Sequence, residues 1–187
     1  MKNYKLLKWS ENLDLDKFYE RASQKGYVNN SSQSRLVDCF RNEKKSQIWI
    51  LYNDDKAVGS VGAHSFDEVC GSGSYRILTR CCVLDGNRPD YGLGTARRLI
   101  SQHQNVNDQY FLPKCIEWTQ SNNLYVTSNE NSAGSQKLVH KIYFPTLEKL
   151  GIVKNEGEII YRNTRQTLWK LNVDNFYDNL RRYERWQ

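Results

Sequence analysis

Three strand-like segments follow one another between residues 47 and 84 with only short connections between them. A run of that kind limits the chain to folds built on a sheet with antiparallel neighbours. QIWILY (47–52) is apolar on both faces and reads as a buried strand. The turn NDDK (53–56) leads into AVGSVGAHSF (57–66), which makes a hairpin with it. DEVCGSGS (67–74) reads as a flexible loop. YRILTRCCVL (75–84) is a strong strand, because Ile77, Cys81 and Val83 alternate with Leu78, Cys82 and Leu84.

The flanking segments add helices. YKLLKW (4–9) suits a first strand, and LDLDKFYERASQKG (13–26) a helix with Phe18 and Ala22 on one face and Gly26 as its stop. RLVDCFR (35–41) suits a short second helix with Leu36, Cys39 and Phe40 inward. DYGLGTARRLISQHQ (90–104) is a glycine-containing loop feeding a helix whose Ala96, Leu99, Ile100 and His103 fall at i, i+3, i+4 and i+7. Of LPKCIEW and NNLYVTS, the part LYVTS (124–128) makes the better strand. From about Ser135 to Leu150 a helix carries Leu138, Ile142, Leu147 and Leu150; Pro145 implies a kink or a late start, and Gly151 ends it. EIIYRNTRQTLWKLNV (158–173) is a long or bulged strand, or a hairpin, and DNFYDNLRRYERWQ (174–187) an amphipathic helix.

The order β-α-α-β-β-β-α-β-α-β predicts an α+β domain: a mixed, mostly antiparallel central sheet flanked by helices, with a C-terminal helical extension. It lacks the regular alternation of a doubly wound sheet. At 187 residues one domain is expected, spanning 1–173, with the helix 174–187 part of the same unit.

A net charge of +6 favours an anionic partner: nucleic acid, an acidic protein surface or a phosphorylated cofactor. The tail LRRYERWQ interleaves aromatic and basic residues, as nucleic-acid contact requires. Docking of Phe176, Leu180, Tyr183 and Trp186 onto the body explains the same letters and is the preferred reading. Cys39, Cys70, Cys81, Cys82 and Cys115 are odd in number and form no CxxC, so buried free thiols in a reducing cytoplasm are expected. The opening MKNYKLLKWSENLDLDK has no apolar signal core, and no run approaches a membrane span. His64, His103 and His140 lack metal-ligand spacing, so no metal is expected.

The glycine loop narrows the chemistry. It is not a Walker A string, which needs Gly-Lys-Ser/Thr after four spacer residues. A dinucleotide fingerprint starting at Gly92 and Gly94 wants a small residue where Arg97 stands. Tyr91-Gly92-Leu93-Gly94-Thr95-Ala96, after a strand and ahead of an amphipathic helix, instead resembles the Arg/Gln-Gly-x-Gly-x-Gly/Ala motif of the GNAT superfamily of N-acetyltransferases. TLEKLGI (146–152) resembles that family's later LYEKLGF, and NLYVTSNENSA the segment lining the pantetheine. The resemblance covers roughly residues 4–173, with its motifs in 75–152. Tyr91 departs from the usual first residue, and Leu147 stands where the family carries a tyrosine acid.

That resemblance implies acetyl-CoA as cosubstrate and an amine as acceptor. Loop amides at Tyr91 to Ala96 and the helix N-terminus hold the pyrophosphate. A backbone N–H around Val83, Leu84 and Asp85 serves the oxyanion. Asn129 and Asn131 reach the pantetheine amides. His64, with Asp67 and Glu68 behind it, is the expected base, and Tyr143, four residues before Leu147, the expected acid. Two alternatives remain open: a catalytically eroded binding module of the same fold, favoured by Tyr91 and Leu147, and a nucleic-acid-modifying or nucleic-acid-binding protein.

Overall fold

The computed structural model describes residues 4–10, 15–24, 45–83, 112–120, 123–129, 139–174 and 178. Strand β1 (Tyr4–Lys8) is followed by helix α1 (Asp16–Gln24), β2 (Gln47–Asn53) and β3 (Lys56–Ser65). Then come the one-turn helix α2 (Asp67–Cys70), β4 (Tyr75–Val83), α3 (Leu112–Thr119) and β5 (Leu124–Ser128). A π-helical turn (Val139–Tyr143) runs into α4 (Phe144–Lys149), and β6 (Val153–Tyr161) and β7 (Thr164–Leu171) complete the order.

The strands form one seven-stranded sheet in the order β1-β2-β3-β4-β5-β7-β6. Every neighbouring pair is antiparallel except β4 and β5. This is the mixed, mostly antiparallel sheet expected from the sequence.

β2 shows why its apolar run has no polar side. Ile48 and Ile50 face α1, packing with Leu15, Phe18, Tyr19 and Ala22. Trp49 and Leu51 point the other way into a larger cluster with Ile77, Leu124, Val126, Phe144, Leu147 and Trp169. Arg21 ties α1 to the sheet, its Nη2 donating to the Ala57 carbonyl at 3.2 Å. On the opposite face, Trp118 of α3 meets Trp49 and Tyr75 edge-on at 5.7 and 5.8 Å. Cys115 beside it is a buried free thiol, as expected.

Three expectations need correction. Residues 67–74 are not a flexible loop: Phe66 N–H donates to the Ser74 carbonyl at 3.0 Å, and Gly73 N–H to the Asp67 carboxylate at 3.0 Å. Gly71 and Gly73 supply the positive φ angles, 92° and 79°, that close it. LPKCIEW is helical, with Pro113 in the first turn, where its missing N–H costs nothing. The segment from Ser135 is described only from Val139, where the helix is π-wound before Pro145, the residue that cannot donate into an α-helical ladder. Its end is as expected. Gly151 (φ 71°) donates to the Glu148 carbonyl at 2.9 Å and Ile152 N–H to Leu147 at 2.9 Å, a Schellman stop.

The segment 158–173 resolves into a hairpin. Arg162 and Asn163 form its two-residue turn with φ of 51° and 59°, the paired positive angles such a turn needs. The helices expected at 35–41, after the glycine loop, and at 174–187 lie outside the described residues, apart from Asp174 and Asp178. Among the described residues no helix is long and apolar enough to cross a membrane.

Candidate active site

The parallel ladder between β4 and β5 contains two residue pairs, Tyr75 with Leu124 and Arg76 with Tyr125. Beyond them β4 continues to Val83 paired with β3, while β5 continues to Ser128 paired with β7. The two strands therefore splay apart. The inner edge of β4 past Arg76 has no strand partner on that side among the described residues, which leaves its backbone groups to be satisfied by something else. Val83 closes β4 at the open end of this gap, and half-buried Asn129 directly follows β5.

Register lines up a row of side chains across the closed end of the splay. His64 of β3 stands opposite Arg76, Arg76 opposite Tyr125, Tyr125 opposite Lys170, and Lys170 opposite Lys154. Cross-strand partners share a face. β5 alternates in burial, with Leu124, Val126 and Ser128 inward, so Tyr125 and Thr127 fall on the side of this row.

The β6–β7 hairpin folds over the row. Tyr161 pairs with Thr164, six residues along β7 from the level of Lys170, or about 20 Å on a flat sheet. Yet its hydroxyl lies 3.4 Å from Nε2 of His64. The hairpin coils back, and it carries a bulge in β6. Register shifts between Asn155 and Gly157, where Gly157 has φ 98° and donates its N–H to the Asn155 side-chain oxygen at 2.8 Å. Such a bulge bends the strand and adds twist.

Within this enclosure Arg76 reaches Thr127 Oγ1 from Nε at 3.0 Å and from Nη2 at 2.7 Å. Its guanidinium carbon sits 4.7 Å from the centre of the Tyr161 ring, and that of Arg162 5.3 Å. Lys170 Nζ lies 5.8 Å from the centre of Tyr125. All three are cation–π distances. Burial, reinforced by Glu156, pushes the Cys70 thiol up to about 11. Burial also raises the Tyr125 phenol, helped by Cys70 and Glu156 and opposed by Lys154. Lys154 is raised by its hydrogen bond to Glu156 and then by that residue's charge.

His64 is 3% exposed. Its Nδ1 lies 2.8 Å from the Ser65 carbonyl, which only accepts, so Nδ1 carries a proton, and the Tyr161 hydroxyl lies 3.4 Å from Nε2. The expected backing by Asp67 and Glu68 is corrected: both side chains are exposed on α2, and Asp67 accepts from Gly73 instead.

A second polar chain lies on the core side. Trp169 Nε1–H donates to Ser128 Oγ at 2.8 Å, and Ser128 Oγ lies 2.7 Å from His140 Nδ1 on the π turn. The hydroxyl accepts from tryptophan and bridges it to the His140 ring.

Leu147 is buried beside Phe144, consistent with packing at the position where an acid was sought. Of the other expected site residues, Leu84, Asp85, Tyr91, Gly92, Leu93, Gly94, Thr95, Ala96 and Asn131 lie outside the described residues, as does the side chain of Tyr143 on the π turn. Sequence reasoning missed Arg76, Tyr125, Thr127, Tyr161 and Lys170. The alternation of LYVTS already separates Tyr125 and Thr127 from the core face; the other three required the register.

No protein-family model matches this chain, and no curated protein matches it in sequence. Solved structures do. FeeM, an N-acyl amino acid synthase from uncultured soil microbes, superposes with a TM-score of 0.58 at 9% identity over 96% of each chain. An acetyltransferase from Streptococcus agalactiae gives 0.54 at 14% identity, over 90% of this chain and 98% of its own. A GNAT family acetyltransferase from Elizabethkingia anophelis, with acetyl-CoA bound, gives 0.52 at 10% identity, over 90% and 97%. The chain has the GNAT-like fold.

Proposed function

We propose that this chain transfers the acyl group of acetyl-CoA to an amine, the amine nitrogen attacking the thioester carbon directly. The observation that carries the proposal is the splay between β4 and β5, whose ladder stops after two pairs and leaves a strand edge facing a gap. An arm bearing amides finds backbone partners there that no neighbouring strand supplies. Tyr91 to Ala96 follow β4 in the chain, and their small residues suit close approach of backbone amides to a pyrophosphate. Asn129 directly follows β5, and Asn131 comes two residues later in the chain; in this reading both hydrogen-bond the same arm. The GNAT-like fold of the neighbours, one of which holds acetyl-CoA, supports the same reading.

In this reading the acceptor ammonium first gives a proton to the Tyr161 oxygen as the Tyr161 proton passes to Nε2 of His64, and the neutral amine then attacks the thioester carbon. The Ser65 carbonyl on Nδ1–H steadies the resulting imidazolium. A backbone N–H at Val83, Leu84 or Asp85 holds the oxyanion, and Tyr143 returns a proton to the departing sulfur. A second reading, a binding module without turnover, is favoured by buried Leu147 at the position of the family's acid.

Calorimetric titration of CoA and acetyl-CoA, beside a folded Gly94→Trp variant, tests the cofactor. Micromolar binding abolished by the variant is expected. Absence of binding to folded protein overturns the proposal, and a steep salt dependence of RNA or DNA binding then points to a nucleic-acid partner. Binding without thiol release from any amine selects the second reading.

A further inference from the structure

We infer that Ser128 is a nucleophile activated by His140, and that without an amine the chain hydrolyses an acyl thioester through an acyl-serine. The inference rests on the acyl-transfer reading for its thioester, acetyl-CoA, and goes beyond it in using water as the acceptor.

The contact is that of a nucleophile with its base. Ser128 Oγ lies 2.7 Å from His140 Nδ1, inside hydrogen-bond reach. A hydroxyl offers one proton and two lone pairs. Trp169 Nε1–H occupies one lone pair at 2.8 Å. With the hydroxyl proton given to neutral His140, one lone pair is left, and the other two contacts fix its direction. The indole is itself held, stacked on Phe144 at 5.2 Å and 15° from parallel. An N–H kept on Oγ also favours the negative charge that gathers there as the proton leaves. His140 is set by the π turn Val139–Tyr143, a winding that recurs at functional sites, and its ring is half-buried.

Position supports the same role. Ser128 is the last residue of β5, at the open end of the splay, where β4 ends at Val83. A thioester seated there for attack by an amine has this hydroxyl on its β5 side. Ser128 is buried; in this reading an acyl group reaches it from the gap.

The reaction balances in two halves. Oγ attacks the thioester carbon as its proton passes to Nδ1; the C–S bond breaks, and that proton leaves on the CoA sulfur. Water then attacks the ester carbon and gives one proton to Nδ1. The proton returns to Oγ as the bond from carbon to serine breaks, and acetic acid departs.

The test reads the serine in the unaltered chain. Phenylmethanesulfonyl fluoride is expected to label Ser128, located by peptide mass, and to stop amine-free thiol release from acetyl-CoA. His140→Gln, which leaves the serine in place, is expected to slow both labelling and release by about 10²-fold. No label on Ser128 overturns the inference, as does label without amine-free release, or release that a folded Ser128→Ala variant leaves unchanged. Amine acetylation that persists in those cases leaves acyl transfer standing. If CoA does not bind, the transfer reading falls, and p-nitrophenyl acetate replaces the thioester. Nitrophenol release lost in His140→Gln then supports the nucleophile; release absent or unchanged overturns it.

Discussion

The hydroxyl of Tyr161 lies 3.4 Å from Nε2 of His64, ninety-seven residues away in sequence, with the two rings stacked 19° from parallel at 6.5 Å between centroids. The pair joins the tip of the β6–β7 hairpin to the end of β3. It also supplies a proton path if the site transfers acyl groups. His64→Gln is expected to lower kcat by about 10²-fold or more. Tyr161→Phe keeps the stacking and removes the hydroxyl, so its loss in kcat should be smaller, without loss of CoA affinity. Unchanged kcat in a folded His64→Gln variant removes His64 from the mechanism.

Ser128 joins two side chains that would otherwise lose a partner. Ser128→Ala deprives Trp169 Nε1–H of its acceptor and His140 Nδ1 of its partner. The expected cost is about 1–3 kcal/mol, the upper part applying if no water enters. Urea unfolding measures it, and a shift near zero means the chain is not held through the serine.

Gln120 follows α3 in a left-handed conformation, φ 48°, and donates its N–H to the Ile116 carbonyl at 3.1 Å. This is the position where helices prefer glycine. Gln120→Gly should stabilise the protein by roughly 0.5–1 kcal/mol, because relief of left-handed strain outweighs the added freedom of the unfolded chain. A lower urea midpoint for the variant would contradict this.

Cys70 sets a limit at high pH. Its thiol is raised from 9.0 to about 11 by burial and then by Glu156. The folded state thus holds the proton more tightly than the unfolded chain. The stability this gives is complete below 9.0 and is lost as pH rises through about 11. Cys70→Ser should lose less stability across that window than the parent. Glu156→Gln should bring thiol alkylation to lower pH, and an unmoved alkylation profile excludes the carboxylate as a cause.

Local pattern made much of the sheet legible. Two-sided apolar QIWILY marked β2, the alternation of LYVTS gave β5 residue for residue, and Gly151 marked the Schellman stop. β6 begins at Val153, earlier than its sequence suggests, because Lys154, Glu156 and Glu158 belong to a solvent-facing edge, where charge discourages further pairing. α2 was hidden because a four-residue helix has no periodicity to read; its glycines suggested looseness where they supply turn geometry. The row through His64, Arg76, Tyr125 and Lys170 comes from four separate strands, and register between distant strands leaves no mark in any one of them. The approach of Tyr161 to His64 is likewise a long-range feature, and the bulge at Gly157 bends the strand that leads to it.

The two-pair ladder makes the sheet a four-strand wing and a three-strand wing sewn along one short seam. A guest seated in the opening lengthens that seam by lending it hydrogen bonds. Its binding energy then appears as resistance of both wings to melting, by mass action on the folded state. The protein is in this sense its own detector: heating it beside a collection of amines, with and without CoA, ranks them by how far each delays the parting of the wings.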